Sequence, residues 1–197
     1  MSRPPGLSVS TLRLAARGLQ TPRLELRTPR VADAAAFVAV MNASLAEWCF
    51  VEFAQAPRDL AWAERFCEGD MQWVADGEAL IFNVFERMSG TFVGRIDLHT
   101  LDLPSCRAEM GYVGDARLAG RGLMREAALA VIEFAFALGF ERIEAMSDVR
   151  NERAVRFALG LGFEREGVLR RHERDPWGEL CDMVLLARLR PGNPLAR

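Results

Sequence analysis

The chain has 197 residues, half of them hydrophobic, a net charge of −2 and a mean hydropathy near zero, which suits one domain with a sizeable core, or a domain and a tail. That charge excludes the strong basic excess of a direct nucleic-acid binder, and no apolar run approaches the ~20 residues a membrane helix needs; the longest, at 127–140, is broken by Glu133. Cys49, Cys67, Cys106 and Cys181 share no C-x-x-C spacing and have only His99 and His172 beside them, so no metal site is expected and the thiols read as reduced, in a cytoplasmic protein.

Residues 1–23 carry four arginines and no acidic residue. Such a start can be a transit peptide, but it lacks the apolar core of a secretory signal. Residues 1–20 are therefore expected as a flexible or loosely docked extension, 21–190 as the domain and 191–197 as a tail. Leu24-Glu25-Leu26-Arg27 alternates like a strand and ends at Thr28-Pro29. Asp33 is placed to cap a helix to about residue 43, with Ala36, Phe37, Val40 and Met41 on one face. Residues 46–53 are aromatic-rich and irregular; Pro57 and Asp59 open a second helix to about 74, carrying Trp62, Phe66 and Trp73. After the Asp76-Gly77 turn come strand patterns at 79–86, 91–101 and 106–113, parted by Ser89-Gly90 and Pro104-Ser105. A long helix at 123–138 closes on Gly139. A strand at 142–148, a helix at about 151–161 closed by Gly162, and strands at 163–172 and 180–189 around Asp175-Pro176-Trp177-Gly178 complete the chain. That order describes one mixed α/β domain without internal repeats.

Tyr112 to Met124 is the informative stretch: a strand runs into a turn with Gly120 and Gly122, and a helix begins at once. Glycines allow close approach of the backbone, and a helix N-terminus offers free N–H groups and partial positive charge, which suit a phosphate. Alone, the pattern is more often a plain strand-to-helix turn than a phosphate site.

Taken together, Glu109-Met110-Gly111-Tyr112, Gly120-Arg121-Gly122-Leu123-Met124, Asn151-Glu152-Arg153-Ala154, Leu161-Gly162-Phe163, Glu166-Gly167-Val168-Leu169, Gly178 and Asp182 resemble the GNAT superfamily of N-acetyltransferases, and within it the RimJ/RimL group, over about residues 21–189. The resemblance implies a mixed, mostly antiparallel central sheet of about seven strands flanked by helices. It further implies acetyl-CoA as cosubstrate and, as acceptor, a protein N-terminus or small amine that attacks the thioester directly, in a protein expected as a monomer or homodimer. The family's loop pattern, Arg/Gln-x-x-Gly-x-Gly/Ala, is satisfied as text from Arg117. Counting from Gly111-Tyr112 instead puts its first residue at Ala119 and its last at Met124, and this register is preferred. Ala119, Gly120, Arg121, Gly122, Leu123, Met124 and Arg125 are then the expected cofactor loop, although Ala119 departs from the usual Arg or Gln. Arg121 and Arg125 are either phosphate contacts or solvated charges at a helix start.

Acetyl transfer to an amine requires that the amine lose a proton, that the oxygen gaining charge meet an N–H donor, and that the thiolate leave. The resemblance lays the pantetheine arm along a splayed fourth strand, making the backbone N–H of Val113 or a neighbour the oxyanion donor. It gives Asn151 a hydrogen bond to that arm, beside its plain reading as a helix N-cap. Glu173, ten residues beyond Phe163, stands where RimL-like enzymes carry their general base; otherwise it is one charge of a solvated loop at 170–174. His172 would face away from it on a strand. Glu109 is the alternative base, or else a packing residue held by a hydrogen bond or ion pair. His99 reads as a satisfied strand histidine. Where RimL-like enzymes place a proton-donating serine, this chain has Ala154, and Tyr112 is its only tyrosine, which leaves water. Trp48, Phe50, Phe53 and Trp62 line the acceptor groove or form the core beneath it, with Trp62 assigned to the core. Arg150, Arg153 and Arg156 form a solvated or cofactor-facing stripe. Ala119 and Ala154 keep open a non-catalytic acyl-CoA-binding module. An acidic groove would instead favour an aminoglycoside or polyamine acetyltransferase, with which Glu47, Glu52 and Asp59 are compatible.

Overall fold

Leu24 and Leu26 are fully buried while Glu25 between them is exposed, the signature of a strand with one face on a core. In the computed structural model, which describes residues 7–15 and 18–192, that strand belongs to a single eight-stranded sheet. The strands are β1 (Leu19–Gln20), β2 (Leu24–Arg27), β3 (Leu80–Glu86), β4 (Phe92–Asp102), β5 (Arg107–Gly114), β6 (Arg142–Asp148), β7 (Glu164–Arg174) and β8 (Leu180–Leu189). The helices are α1 (Val9–Ala15), α2 (Ala34–Ala43), α3 (Leu60–Asp76), α4 (Leu123–Leu138) and α5 (Glu152–Gly160). Strand order is β1-β2-β3-β4-β5-β6-β8-β7, antiparallel throughout except for the parallel pair β5–β6.

Successive residues of the strands feed opposite faces. Val93 joins the core beneath α4 and α5, whereas Phe92 joins the core beneath α2 and α3. Helix α4 is built from strong helix formers, enters through Gly122 and stops at Gly139, whose N–H caps the last turn in a left-handed conformation. Its Ala127, Ala128, Val131, Ile132 and Ala135 are fully buried against the sheet. Asp59 caps α3 as its sequence suggests, accepting from the Trp62 N–H at 2.8 Å. Asp33 stands at the N-cap position of α2, but its side chain makes no cap bond there. It ends a 3₁₀ turn, Val31–Asp33, where its buried carboxylate receives the Arg27 guanidinium, the Asn83 amide and the Arg30 N–H.

Much of the stretch expected as an extension is docked. Leu12 of α1 is fully buried in the larger core, and β1 pairs with β2. Residues 1–6, 16 and 17 of that stretch, and 193–197 of the tail, lie outside the described residues. None of the described helices is long and apolar enough to cross a membrane.

One feature of the sheet positions the site. β5 and β6 pair over three residues only, Arg107↔Arg142, Ala108↔Ile143 and Glu109↔Glu144, and then part. β5 continues to Gly114 on β4, while β6 continues to Asp148 on β8. At the closed end of this gap Glu144 accepts from Arg107 at 2.9 Å and Arg142 at 2.7 Å, tying the two halves together.

Candidate active site

The open end of the gap leads into a cleft of about 700 Å³ between β5 and the starts of α4 and α5. The segment entering α4 is shaped by its own side chains. Asp115, buried, accepts from the Arg117 N–H and guanidinium, which holds its carboxyl below the usual range and turns Arg117 back on itself. Arg117 is therefore committed to the turn, in keeping with the register that begins at Ala119. Gly120 and Gly122 have φ of 81° and 73°, left-handed values that suit glycine, and a side chain at Gly120 would meet open space. Ala119, Gly120, Gly122, Leu123, Met124 and Arg125 all line the cleft. The first turn of α4 contributes N–H groups with no partner inside the helix. Arg121 is placed differently: its Nη2 donates to Glu86 at 3.0 Å, and its carbonyl accepts from Arg23.

Backbone direction along β5 decides which N–H groups face the gap. The Asp115 N–H donates to Val93 on the β4 side, and β5 pairs with β4 in unbroken antiparallel register from Gly114 back to Glu109. Alternation turns the N–H of Val113 toward β4 and those of Tyr112 and Gly114 toward the gap. The Gly114 carbonyl agrees, since it accepts from the Trp48 indole at 3.0 Å rather than from β4. Of the expected donors, Val113 or a neighbour, it is the neighbours Tyr112 and Gly114 whose N–H groups face the gap, and Val113 also lines the cleft.

A second cavity of about 360 Å³ meets the cleft at Val51, Tyr112, Val113, Asn151 and Ala154, which line both. Its wall holds Asp97, Glu109, Asp148, Glu173 and Asp175 against Arg95 and Arg174, with Phe50 and Phe53 on one side. Arg95 is buried, paired with Asp70 and Asp97, and lies over the Phe66 ring. Burial pushes Asp70 up to about 6 even though Arg95 draws it down. Asp148 and Asp175 share Arg150. Glu109 and Glu173 make no side-chain hydrogen bond or ion pair among the described residues.

Glu109 is half-buried, and burial raises its pKa; His99 opposes that rise, while the charges of Glu173, Glu144 and Asp97 add to it. Instead of being held as a packing residue, it presents a free carboxylate to the cavity. Glu173 is exposed but faces the same cavity, because it pairs with Cys181 on β8. A bulge between Leu169 and Glu173, with Arg171 at φ 50° donating its N–H to Asp182, precedes that pairing and leaves His172 on the other side. His99 contacts Thr100 and Asp97. Asn151 caps α5 by accepting the Ala154 N–H at 3.1 Å and also lines both cavities. The Tyr112 hydroxyl donates to the Ala154 carbonyl at 3.0 Å, and burial drives its pKa well above the usual range. Trp48 is both core and cleft wall; Trp62 stacks on Phe66 within the α2–α3 core. Arg153 and Arg156 line the cleft, and Arg156 pairs with Glu152.

Arg95 and Asp97, which line the smaller cavity, escaped the sequence reading. Both had a signal, two charges inside an otherwise buried strand.

A sequence profile described as the acetyltransferase (GNAT) domain matches residues 23–164. The N-acetyltransferase p20 of Bacillus licheniformis, itself uncharacterized, is 28% identical over 116 residues, which span 58% of this chain and 65% of that protein. Among solved structures, the microcin C7 self-immunity acetyltransferase MccE, in complex with acetyl-CoA and AMP, superposes with a TM-score of 0.80 at 20% identity, covering 95% of this chain and 98% of that one. RimL, the ribosomal L7/L12 alpha-N-protein acetyltransferase in complex with coenzyme A, gives 0.78 at 19% identity, covering 86% and 95%. These two likenesses are of fold.

Proposed function

The chain belongs to the GNAT acetyltransferase family, and from that premise we propose that it is an N-acetyltransferase that carries acetyl-CoA in the larger cleft and a primary amine in the smaller acidic cavity. The observation that carries this reading is the junction of the two spaces at Tyr112, Val113, Asn151 and Ala154, with an unpaired, half-buried carboxylate, Glu109, on the acceptor side.

Acetyl-CoA fits the cleft on three grounds. Gly120 leaves open space over its backbone, the first turn of α4 offers N–H groups to phosphate, and Arg125, Arg153 and Arg156 add positive charge along the wall. Asn151 would reach the pantetheine arm with its amide while its oxygen caps α5. The N–H of Tyr112 is positioned to donate to the thioester oxygen as charge gathers there, and that of Gly114 to a group further along the arm.

Glu109 takes the proton of the incoming ammonium. Its raised pKa brings it nearer the working pH than an ordinary carboxylate, which suits a general base. Glu173, across the cavity, supplies a second negative charge that holds the amine before attack. The amine nitrogen then bonds to the carbonyl carbon, charge collects on the oxygen, and on collapse the carbon–sulfur bond breaks while the second proton shed by the nitrogen passes through water to the departing thiolate. The Tyr112 hydroxyl is not the donor, being engaged with Ala154 and strongly reluctant to ionise. The acidic wall favours acceptors that carry positive charge, protein N-termini and small amines alike.

The test is thiol release from acetyl-CoA across a panel of N-terminal peptides, polyamines and aminoglycosides, with mass analysis of each acceptor. One acceptor gaining an acetyl group supports the reading. Binding of acetyl-CoA without transfer to any acceptor would instead identify a non-catalytic binding module.

A further inference from the structure

Arg150 follows β6 and is half-exposed at the rim of the acceptor cavity, yet its guanidinium is heavily engaged. Nε donates to Asp148 at 2.9 Å, and Nη2 donates to Asp148 at 2.5 Å and to Asp175 at 2.7 Å. The other oxygen of Asp175 accepts the N–H groups of Trp177 and Glu179, so that carboxylate organises the whole β7–β8 turn. The guanidinium carbon also lies 5.8 Å from the ring centres of both Phe50 and Trp177, which meet edge to face at 6.0 Å. Three segments distant in sequence therefore converge on one side chain: the end of β6, the β7–β8 turn and the irregular stretch after α2. Asp148, Asp175 and Phe50 each line the cavity.

This arrangement sorts the lining acids. Asp148 and Asp175 are both engaged by Arg150, one cation shared between two carboxylates, and serve as wall, whereas Glu109 and Glu173 have no such partner among the described residues and stay free for an amine. A planar, forked cation is suited to bridging two carboxylates while packing beside aromatic rings; an ammonium on a shorter stem is not.

We propose that Arg150 is a positioning residue of the acceptor cavity, tying the β7–β8 turn and the Phe50 segment to the end of β6 and so fixing the outer wall against which the amine-bearing molecule is seated. The proposal rests on reading the smaller cavity as the acceptor site.

Cys181 provides a probe, being buried and lining the same cavity, while Cys67 in the α2–α3 core provides a control. Alkylation of each thiol by iodoacetamide is followed by peptide mass mapping in the wild type, Arg150→Ala, Arg150→Lys and Asp175→Asn. Loss of the Arg150 charge by itself would slow Cys181, since that charge favours its thiolate, so acceleration reports an opened wall. Arg150→Ala is expected to speed Cys181 severalfold, with Cys67 and the calorimetric affinity for acetyl-CoA unchanged. Asp175→Asn should also speed Cys181, but it removes a charge that disfavours the thiolate, so Arg150→Ala is the deciding variant; Arg150→Lys should fail to restore the wild-type rate. An unchanged Cys181 rate in Arg150→Ala, full rescue by lysine, or equal acceleration of Cys67 would each overturn the proposal. Absence of acetyl-CoA binding to the wild type would instead overturn the assigned function and leave the labelling to decide on the clamp.

Discussion

Glu109 and Glu173 face each other across one cavity without ion-pair partners among the described residues, and their environments separate their roles. Glu109 is half-buried and its pKa is raised; Glu173 is exposed and contributes to that rise. Replacing Glu109 with Gln is expected to lower turnover by about 100-fold or more while sparing acetyl-CoA affinity, measured by steady-state kinetics and calorimetry. The acidic limb of the wild-type pH–rate profile should lie above the ordinary carboxylate range, because the base acts only when ionised, and Glu109→Gln should abolish it. Glu173→Gln should move that limb to lower pH and raise the acceptor KM. The stability consequence has a definite sign. A carboxylate whose pKa is raised by folding loses stabilisation as pH rises through the folded value. Glu109→Gln should therefore melt higher than wild type at pH 7, and the difference should vanish below the ordinary carboxylate range. That a glutamate here faces a cavity could not be read from Glu-x-Gly-Tyr as text, because the neighbours that raise its pKa come from β4, β6 and β7.

Among the elements, β4 and β5 press together where the gap opens. A Cβ at Gly94 would lie 2.3 Å from the Val113 carbonyl oxygen and 2.9 Å from Gly114 Cα, both backbone atoms, and 2.7 Å from Met124 Sδ. Gly94→Ala must push the strands apart, which should cost about 1–3 kcal/mol in urea denaturation and weaken acetyl-CoA binding, because Tyr112 and Gly114 would lose their aim. Most elements were legible in the sequence because their burial is periodic: α4 shows its apolar stripe and both glycine boundaries, and β2 alternates cleanly. Asp33 was misleading because Arg27 and Asn83, outside the local pattern, claim its carboxylate. The parting of β5 from β6 leaves no local trace, since it depends on which strands become neighbours. For the same reason the choice between Val113 and Tyr112 needed the register with β4, which one strand read alone does not supply.

At the scale of the whole molecule, the Arg-rich start is part of the folded body where it is described. Leu12 is about as buried as Leu24 or Ile132, within the core under α4. Leu12→Ala should cost about 2–5 kcal/mol by chemical denaturation, where a loosely docked arm would show almost no change. A seven-residue helix is too short to announce itself by periodicity, which is why α1 itself was not legible in the sequence. The two halves of the sheet, joined over three residue pairs, leave a gap where the cleft and the smaller cavity meet. The proposed function requires acetyl-CoA to occupy that gap. Amide hydrogen exchange with and without acetyl-CoA tests this most directly: protection should rise at Tyr112, Gly114 and residues 119–125 and stay unchanged in α3. Protection confined to other elements, or none anywhere, would contradict it.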